Sequence, residues 1–309
     1  MTPSLPETLA VVVHRAGEEP LAQCLGSLAR QDHPALRVVV VDHSERGIAV
    51  PGAEVLRPGR NLGFGGGIAE ALRRDPASVV LLLNPDARAE PSWARRMTEA
   101  LLGDPRTGMA AVRVASGTRP GRLDSAGLGV SRGGTGILRG HGAPAATPVA
   151  SLASVPLLGP TGAAAAYRRE LLEDLGGFPD VYFLYYEDLE VAYRGRRRGW
   201  SCAWVDEPLV AHDHVSGAGS EKRYYLHRAR RLFRLRNLAR GDALEETAAL
   251  LRAAARGALG ARKRGREDAD RIHRERPVDF ARTDGPVESA WIAGRRAAWS
   301  EVFRRLGSG

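Results

Sequence analysis

Five consecutive apolar residues, Val79-Val80-Leu81-Leu82-Leu83, with Asn84-Pro85-Asp86 directly after them, constrain this chain more than any other stretch. An unbroken Val/Leu run of strand length predicts a strand buried on both faces, the kind found in the middle of a parallel sheet. Such a strand delivers the residues after it to the carboxyl edge of the sheet, where open α/β folds bind ligands. Pro85 removes a backbone donor and ends the strand, so Asp86 is expected at the rim with its carboxylate free. Alone, Asn-Pro-Asp is more often only a turn. Its weight comes from the pattern around it.

That pattern alternates strand and helix. Leu9 to Val13 reads as a strand, and Pro20 to Arg30 as a helix with Leu21, Cys24, Leu25 and Leu28 on one face. Leu36 to Val41 is a second strand ended by Asp42-His43-Ser44, and Val55-Leu56 a brief third. Asn61-Leu62-Gly63-Phe64-Gly65-Gly66-Gly67 leads into a helix expected over 68–74, and Pro91 to Leu102 reads as another helix. The alternation predicts a three-layer α/β/α fold with a mostly parallel central sheet. Residues 116–150, rich in Gly, Ala, Pro and Arg, read as loops with a hairpin near Leu128 and Ile137. A helix over Arg168 to Leu175 closes on Gly176-Gly177, and the aromatic stretch Phe178 to Tyr186 runs into a helix from Glu187 to about Arg198. Two strand signals come next, Trp200 to Val205 and Val210 to His214. From Lys222 the chain is helix-forming, and 261–288 is charged enough to be partly disordered.

Bulk properties narrow the function. With 309 residues the chain is long enough for one large domain or two small ones. No apolar run reaches the roughly 18 residues of a membrane span, and residues 1–7 lack the pattern of a signal peptide. Cys24 and Cys202 form neither a disulfide framework nor a metal-ligand spacing, which fits a reducing cytoplasm. The net charge of +9 is concentrated in residues 222–309, which carry 22 Lys/Arg against 11 Asp/Glu. Such a segment suits an anionic membrane surface, a phosphorylated ligand or nucleic acid, or is simply a solvated helix surface. No zinc-finger or RNA-binding signature supports specific nucleic-acid recognition.

Four chemical positions fall where elements begin or end: Asp42, Asp86, Asp188 and His212. A divalent cation, Mg2+ or Mn2+, held by Asp86 and His212 could bridge a diphosphate and neutralise a doubly charged leaving group. The bland alternative for His212 is a structural histidine with Asp213 and His214 as local partners. Asp188 opens a helix, where an acidic residue stabilises the dipole; the functional alternative is a general base that takes the proton of an attacking alcohol. The preceding aromatics suit either a core or a sugar face. The run Gly63-Phe64-Gly65-Gly66-Gly67 is not a dinucleotide fingerprint, since Ile68 stands where a third glycine is needed. It either lets backbone approach a ligand or makes a tight loop before a helix.

In order and spacing, VVVH (11–14), VVVVDHS (38–44), NLGFGGG (61–67), LLLNPD (81–86), GGF (176–178), FLYYEDLEVAYRGRRRGW (183–200) and VAHDHVSG (210–217) resemble inverting glycosyltransferases of family 2. These have the GT-A fold, and the nearest likeness is to the rhamnosyltransferase-like branch, over residues 9–240. The resemblance implies transfer of a sugar, a deoxysugar such as rhamnose among the candidates, from a dTDP- or UDP-linked donor to a hydroxyl acceptor. The acceptor would be a glycan, a lipid-linked glycan or a small molecule. Asp188 is then the catalytic base, and Asp86 and His212 hold the metal. Asp42 contacts the base or ribose, and Val13, His14, Asn61, Gly65, Gly66, Asn84 and Gly162 complete the donor site. Residues 1–115 would form the nucleotide-sugar half, 116–221 the acceptor and catalytic half, and 222–309 a basic helical extension. That extension could meet the inner face of a membrane peripherally. The family pattern is altered at His14-Arg15-Ala16, Asp42-His43, Ile68-Ala69, Phe178-Pro179 and Leu189-Glu190-Val191, which bears on donor identity. A nucleotidyltransferase and an inactive nucleotide-sugar-binding scaffold are the alternatives.

Overall fold

Three strands, β1 (Thr8–His14), β2 (Leu36–Asp42) and β4 (Val79–Leu83), carry the apolar runs of the first third of the chain. They run parallel, with His14 level with Asp42 and Val11 level with Leu82. All five side chains of β4 are buried. Alternate residues face opposite cores, because successive side chains leave a strand on opposite sides. Val80 and Leu82 join one apolar cluster, with Leu9, Val11 and Ile68. Val79, Leu81 and Leu83 join the other, with Cys24, Trp93 and Met97. Each such burial contributes roughly 1.5–3 kcal/mol, so a polar residue on either face of β4 has no tolerated side. The structure, a computed structural model, describes residues 4–214, 220–238, 259–275 and 292–293.

The remaining elements complete a layered unit. They are α1 (Glu18–Leu28), β3 (Glu54–Leu56), α2 (Gly63–Arg74), β5 (Ala87–Ala89), α3 (Trp93–Leu102), β6 (Thr107–Ser116) and β7 (Leu123–Ser125). Then come β8 (Leu128–Ser131), β9 (Gly136–Leu138), β10 (Ala164–Arg168), α4 (Arg169–Asp174), α5 (Glu187–Arg197) and β11 (Ser201–His212). Helices α6 (Ser220–Asn237) and α7 (Leu259–Glu275) and the short β12 (Ile292–Ala293) come last. The central sheet has the order β3-β2-β1-β4-β10-β6-β11-β5, with β7 added beside β6, and β8 and β9 form the expected hairpin in a second small sheet.

Several expectations need correction. The sheet is mixed: β10 runs antiparallel to both β4 and β6, and β5 antiparallel to β11. The reason is connectivity, since β6 ends at the carboxyl edge and the chain re-enters the sheet from that edge into β10. The two strand signals at 200–214 are one strand, β11, with a register shift between Val205 and Val210. Helix α3 starts at Trp93, two residues later than its proline suggests. Helix α2 starts at Gly63 rather than near 68, so the glycine run is its first turn and not a loop. Residues 261–275, expected to be partly disordered, belong to α7; 276–288 lie outside the described residues, as do 215–217 of the last family motif.

Helix α6 is joined to the α/β body through buried polar contacts. Arg236 is paired with Glu190 of α5 at 2.8 Å, and Asn237 donates to the other Glu190 oxygen at 2.9 Å. Helix α7 lies along α6, where Gly265 allows close approach: a Cβ there would sit 2.9 Å from the Arg228 nitrogen. No helix among the described residues is long and apolar enough to cross a membrane.

Candidate active site

The end of β4 and the end of β11 meet through β5, with His212 level with Ala87 in the ladder. This brings Asp86 and His212 together, as expected: Nε2 of His212 lies 3.1 Å from Oδ1 of Asp86. The Asn84 amide nitrogen is 3.3 Å from the same Nε2. Asp86 is not the free rim carboxylate that its turn suggested; it is only 4% exposed. Nor does Asp213 partner His212, because it is turned outward to Arg88, whose Nη2 is 3.0 Å from Oδ1.

The other imidazole nitrogen, Nδ1, is 3.0 Å from Oδ2 of Asp124, a buried residue of β7 that no sequence motif singled out. Oδ1 of Asp124 is 2.5 Å from Nε2 of His214. His141 donates from Nδ1 to the Asp124 carbonyl at 2.8 Å. A signal was available: Asp124 is the one acidic residue in 116–150. Burial works against charge on His212, but its bonds to Asp124 and Asp86 outweigh this and raise it to about 9. For Asp124, burial is likewise outweighed by its histidine contacts, which hold the carboxyl far below the usual range. The cluster therefore attracts positive charge.

These residues fit a divalent cation. The carboxylate suits Mg2+ or Mn2+, and the imidazole, a ligand for first-row transition ions, tips the pair toward Mn2+. The 3.1 Å between Asp86 Oδ1 and His212 Nε2 also matches neighbouring ligands on one octahedral ion with bonds of about 2.1 Å.

A second cluster adjoins the first through residues 161–163. The Asn84 N–H donates to the Ala163 carbonyl at 3.0 Å, and the Gly162 N–H donates to Oδ2 of Asp188 at 2.8 Å. Thr161 Oγ1 is 3.5 Å from Ser125 Oγ, beside Asp124. A Cβ on Gly162 would meet the Phe64 ring at 2.9 Å, so only glycine lets this backbone reach Asp188. Asp188 is partly accessible, whereas the adjacent Glu187 is buried with Oε2 unpartnered among the described residues. Burial raises both carboxyls, and the Asp188 charge pushes Glu187 further up; the Gly162 and Leu189 N–H groups restrain Asp188. The loop before α5 is strained: Phe183, Tyr185 and Tyr186 have φ of 65°, 68° and 74°. Conformations of this kind cost about 1–3 kcal/mol each and cluster at functional sites.

The remaining donor-site candidates lie around the ends of β1 and β2 with different tasks. Asp42 is buried, and its oxygens accept the Ser44 and Ile48 N–H groups at 2.9 and 3.0 Å. Its geometry closes the loop 42–48. His14 is buried beside it with Nδ1 lacking a partner among the described residues, and burial lowers its pKa. Val13 packs toward Gly67, where a Cβ would lie 3.0 Å from its Cγ1. Asn61 accepts the Gly63 N–H at 2.9 Å and so starts α2. Gly65 faces the Pro179 carbonyl, 2.5 Å from an added Cβ, and Gly66 faces Leu62 at 2.9 Å. Gly63 and Gly65 thus let α2 approach the backbone of Phe183 and Pro179, while Gly66 and Gly67 pack against side chains.

Comparison with known proteins agrees with this architecture. The model of a family described as "Glycosyltransferase like family 2" matches residues 6–234. No curated protein matches the chain. Among solved structures, the mannosyltransferase PcManGT from Pyrobaculum calidifontis, in complex with GDP-Man and Mn2+, is 16% identical with a TM-score of 0.49. That alignment covers 98% of this chain and 81% of that one. GalNAc-T7 with UDP, GalNAc and Mn2+ is 14% identical with a TM-score of 0.57, over 86% of this chain and 55% of that one. With the family model spanning most of its length and the mixed sheet of the GT-A fold, the chain belongs to the glycosyltransferase family 2-like group.

Proposed function

We propose that the protein is a divalent-metal-dependent inverting glycosyltransferase. It moves a sugar, a deoxysugar such as rhamnose among the candidates, from a nucleoside-diphosphate donor (dTDP- or UDP-linked) to an acceptor hydroxyl. The observation that carries the reading is the adjacency of two clusters, one of cation-ligand type at Asp86 and His212 and one of base type at Asp188. GalNAc-T7, which shares the fold, holds UDP with Mn2+.

Asp86 and His212 would hold the cation, which when bound neutralises the diphosphate leaving group. Asn84 sits beside them at the strand end. The orphaned Nδ1 of His14 offers a hydrogen bond to the donor, and Val13 an apolar wall. Asp42, Asn61, Gly65 and Gly66 shape the surrounding backbone. Asp188 accepts the acceptor proton as the oxygen attacks the anomeric carbon from the face opposite the leaving group. Its raised pKa makes it a stronger base, and the Gly162 N–H fixes its second oxygen. The basic segment 222–309 is the part of the chain suited to peripheral contact with an anionic membrane on the cytoplasmic side.

The reading is tested by calorimetric titration of UDP, dTDP and GDP, each with and without Mn2+ or Mg2+. At least one should bind with affinity that rises at least tenfold with metal and that Asp86→Ala abolishes. Absence of metal-dependent binding for all three would overturn it.

A further inference from the structure

We propose that Asp124 is a positioning residue for the cation site, holding His212 so that Nε2 points to Asp86. This rests on the reading of Asp86 and His212 as ligands. Strand β7 lies on one side of the carboxyl end of β6 and β11 on the other, so Asp124 and His212 meet across β6. A buried carboxylate only accepts hydrogen bonds, so the 3.0 Å contact with Nδ1 places an imidazole proton there. Nε2 lies 3.1 Å from Asp86 Oδ1 and shares a proton with that carboxylate when no ion is bound; a cation held there would take the place of that proton, leaving N–H on the Asp124 side and the Nε2 lone pair for the ion. A carboxylate on the far nitrogen of a metal-binding histidine fixes tautomer and ring orientation and raises ligand basicity.

The surroundings hold Asp124 in that role. Its other oxygen is engaged by His214, and its carbonyl accepts from His141 Nδ1. His141 Nε2 in turn lies 2.9 Å from Arg119 Nη2, which can only donate, so the His141 tautomer is set as well. Asp124 is 3% exposed, which removes competition from water. The ligand-type atoms of Asp124, His212 and His214 also lie within 4.8 Å of one another, so a cation bound on that side is the competing arrangement. The Asp86 side is favoured because it faces Asn84 and the 161–163 segment that leads to Asp188.

The experiment is titration of Mn2+ into the full chain with UDP present, following free Mn2+ by electron paramagnetic resonance. Asp124→Ala should weaken Mn2+ binding about 10–100-fold, the usual cost of removing such a partner. Asp124→Asn, whose amide oxygen still accepts the Nδ1 proton, should recover most of that loss and guards against a folding defect in the alanine variant. Nitrogen-15 spectra of histidine-labelled protein with Mg2+ should show His212 protonated at Nδ1 in the parent and in Asp124→Asn. Parent-like Mn2+ affinity in Asp124→Ala would overturn the proposal. So would loss of Mn2+ in both Asp124→Ala and His214→Ala with Asp86→Ala unaffected, because Asp124 would then be a ligand. If the parent itself binds no Mn2+, the reading of Asp86 and His212 fails first and the inference falls with it.

Discussion

At the scale of single residues, Glu187 and Asp188 are neighbours with opposite circumstances. On a helix their side chains diverge by about 100°. Asp188 reaches Gly162 and remains partly accessible, while Glu187 turns into the core. Asp188→Asn keeps size and removes basicity, so nucleoside-diphosphate and metal binding should be unchanged while kcat falls at least about 100-fold. Because the Asp188 pKa is raised, kcat/KM should climb through an acid limb above the usual aspartate range, and that limb should vanish in the variant. Full activity in Asp188→Asn would remove it as the base. Glu187, buried and facing away from Gly162, should affect stability rather than rate. Its folded pKa is well above its unfolded value, so its protonated form stabilises the fold fully below the usual glutamate range. That contribution is lost as pH rises toward the folded value. Glu187→Gln should flatten this part of the stability curve in denaturant titrations at stepped pH. An unchanged slope would place the responsible proton elsewhere.

At the scale of elements, α5 carries Asp188, the proposed base, on its first turn and is held from behind by α6. Glu190 is 1% exposed and accepts from Arg236, Asn237 and Tyr182. Removing one partner from a buried ion pair leaves a charge uncompensated. Glu190→Ala should therefore destabilise the protein by about 3–5 kcal/mol in chemical denaturation. A loss below about 1 kcal/mol would mean that Arg236 finds water instead. In the sequence, Leu189-Glu190-Val191 is a departure from the family pattern. In the structure it is the attachment point of the helix after β11.

At the scale of the whole molecule, the charge asymmetry is the feature with an outward reading. Residues 222–309 are strongly basic, yet much of the Arg content of α6 faces inward: Arg228, Arg234 and Arg236 are buried. Arg228 donates to the Val181 carbonyl at 3.2 Å and Arg231 to Asp270 at 2.9 Å. Basic residues of this segment therefore serve packing as well as any surface. Liposome flotation separates the two uses. Contact with an anionic surface should require anionic lipid and weaken as salt rises from about 0.1 to 0.5 M. Recovery that ignores lipid charge and salt would rule that contact out.

The layers and the sheet edge that gathers Asp86 and His212 were legible in the residues alone. Apolar runs at Val79–Leu83 and Leu36–Val41 can satisfy burial on two faces only as inner strands, and Pro85 must end one of them, so Asp86 had to stand at the carboxyl end. The spacing of the motifs also brought Asp86, Asp188 and His212 under suspicion together. Which groups touch was settled only by the packing of distant elements. Asp124 is 88 residues from His212 in the chain, and their contact depends on β7 and β11 flanking β6, a pairing that no local pattern encodes. Asp42 and the glycine run show the converse. Their residue types suit ligand contact, but folding supplied protein partners for them first: the Ser44 and Ile48 N–H groups for one, the Pro179 carbonyl and Leu62 for the other. Local chemistry states what a side chain can bind, and long-range packing selects which partner reaches it.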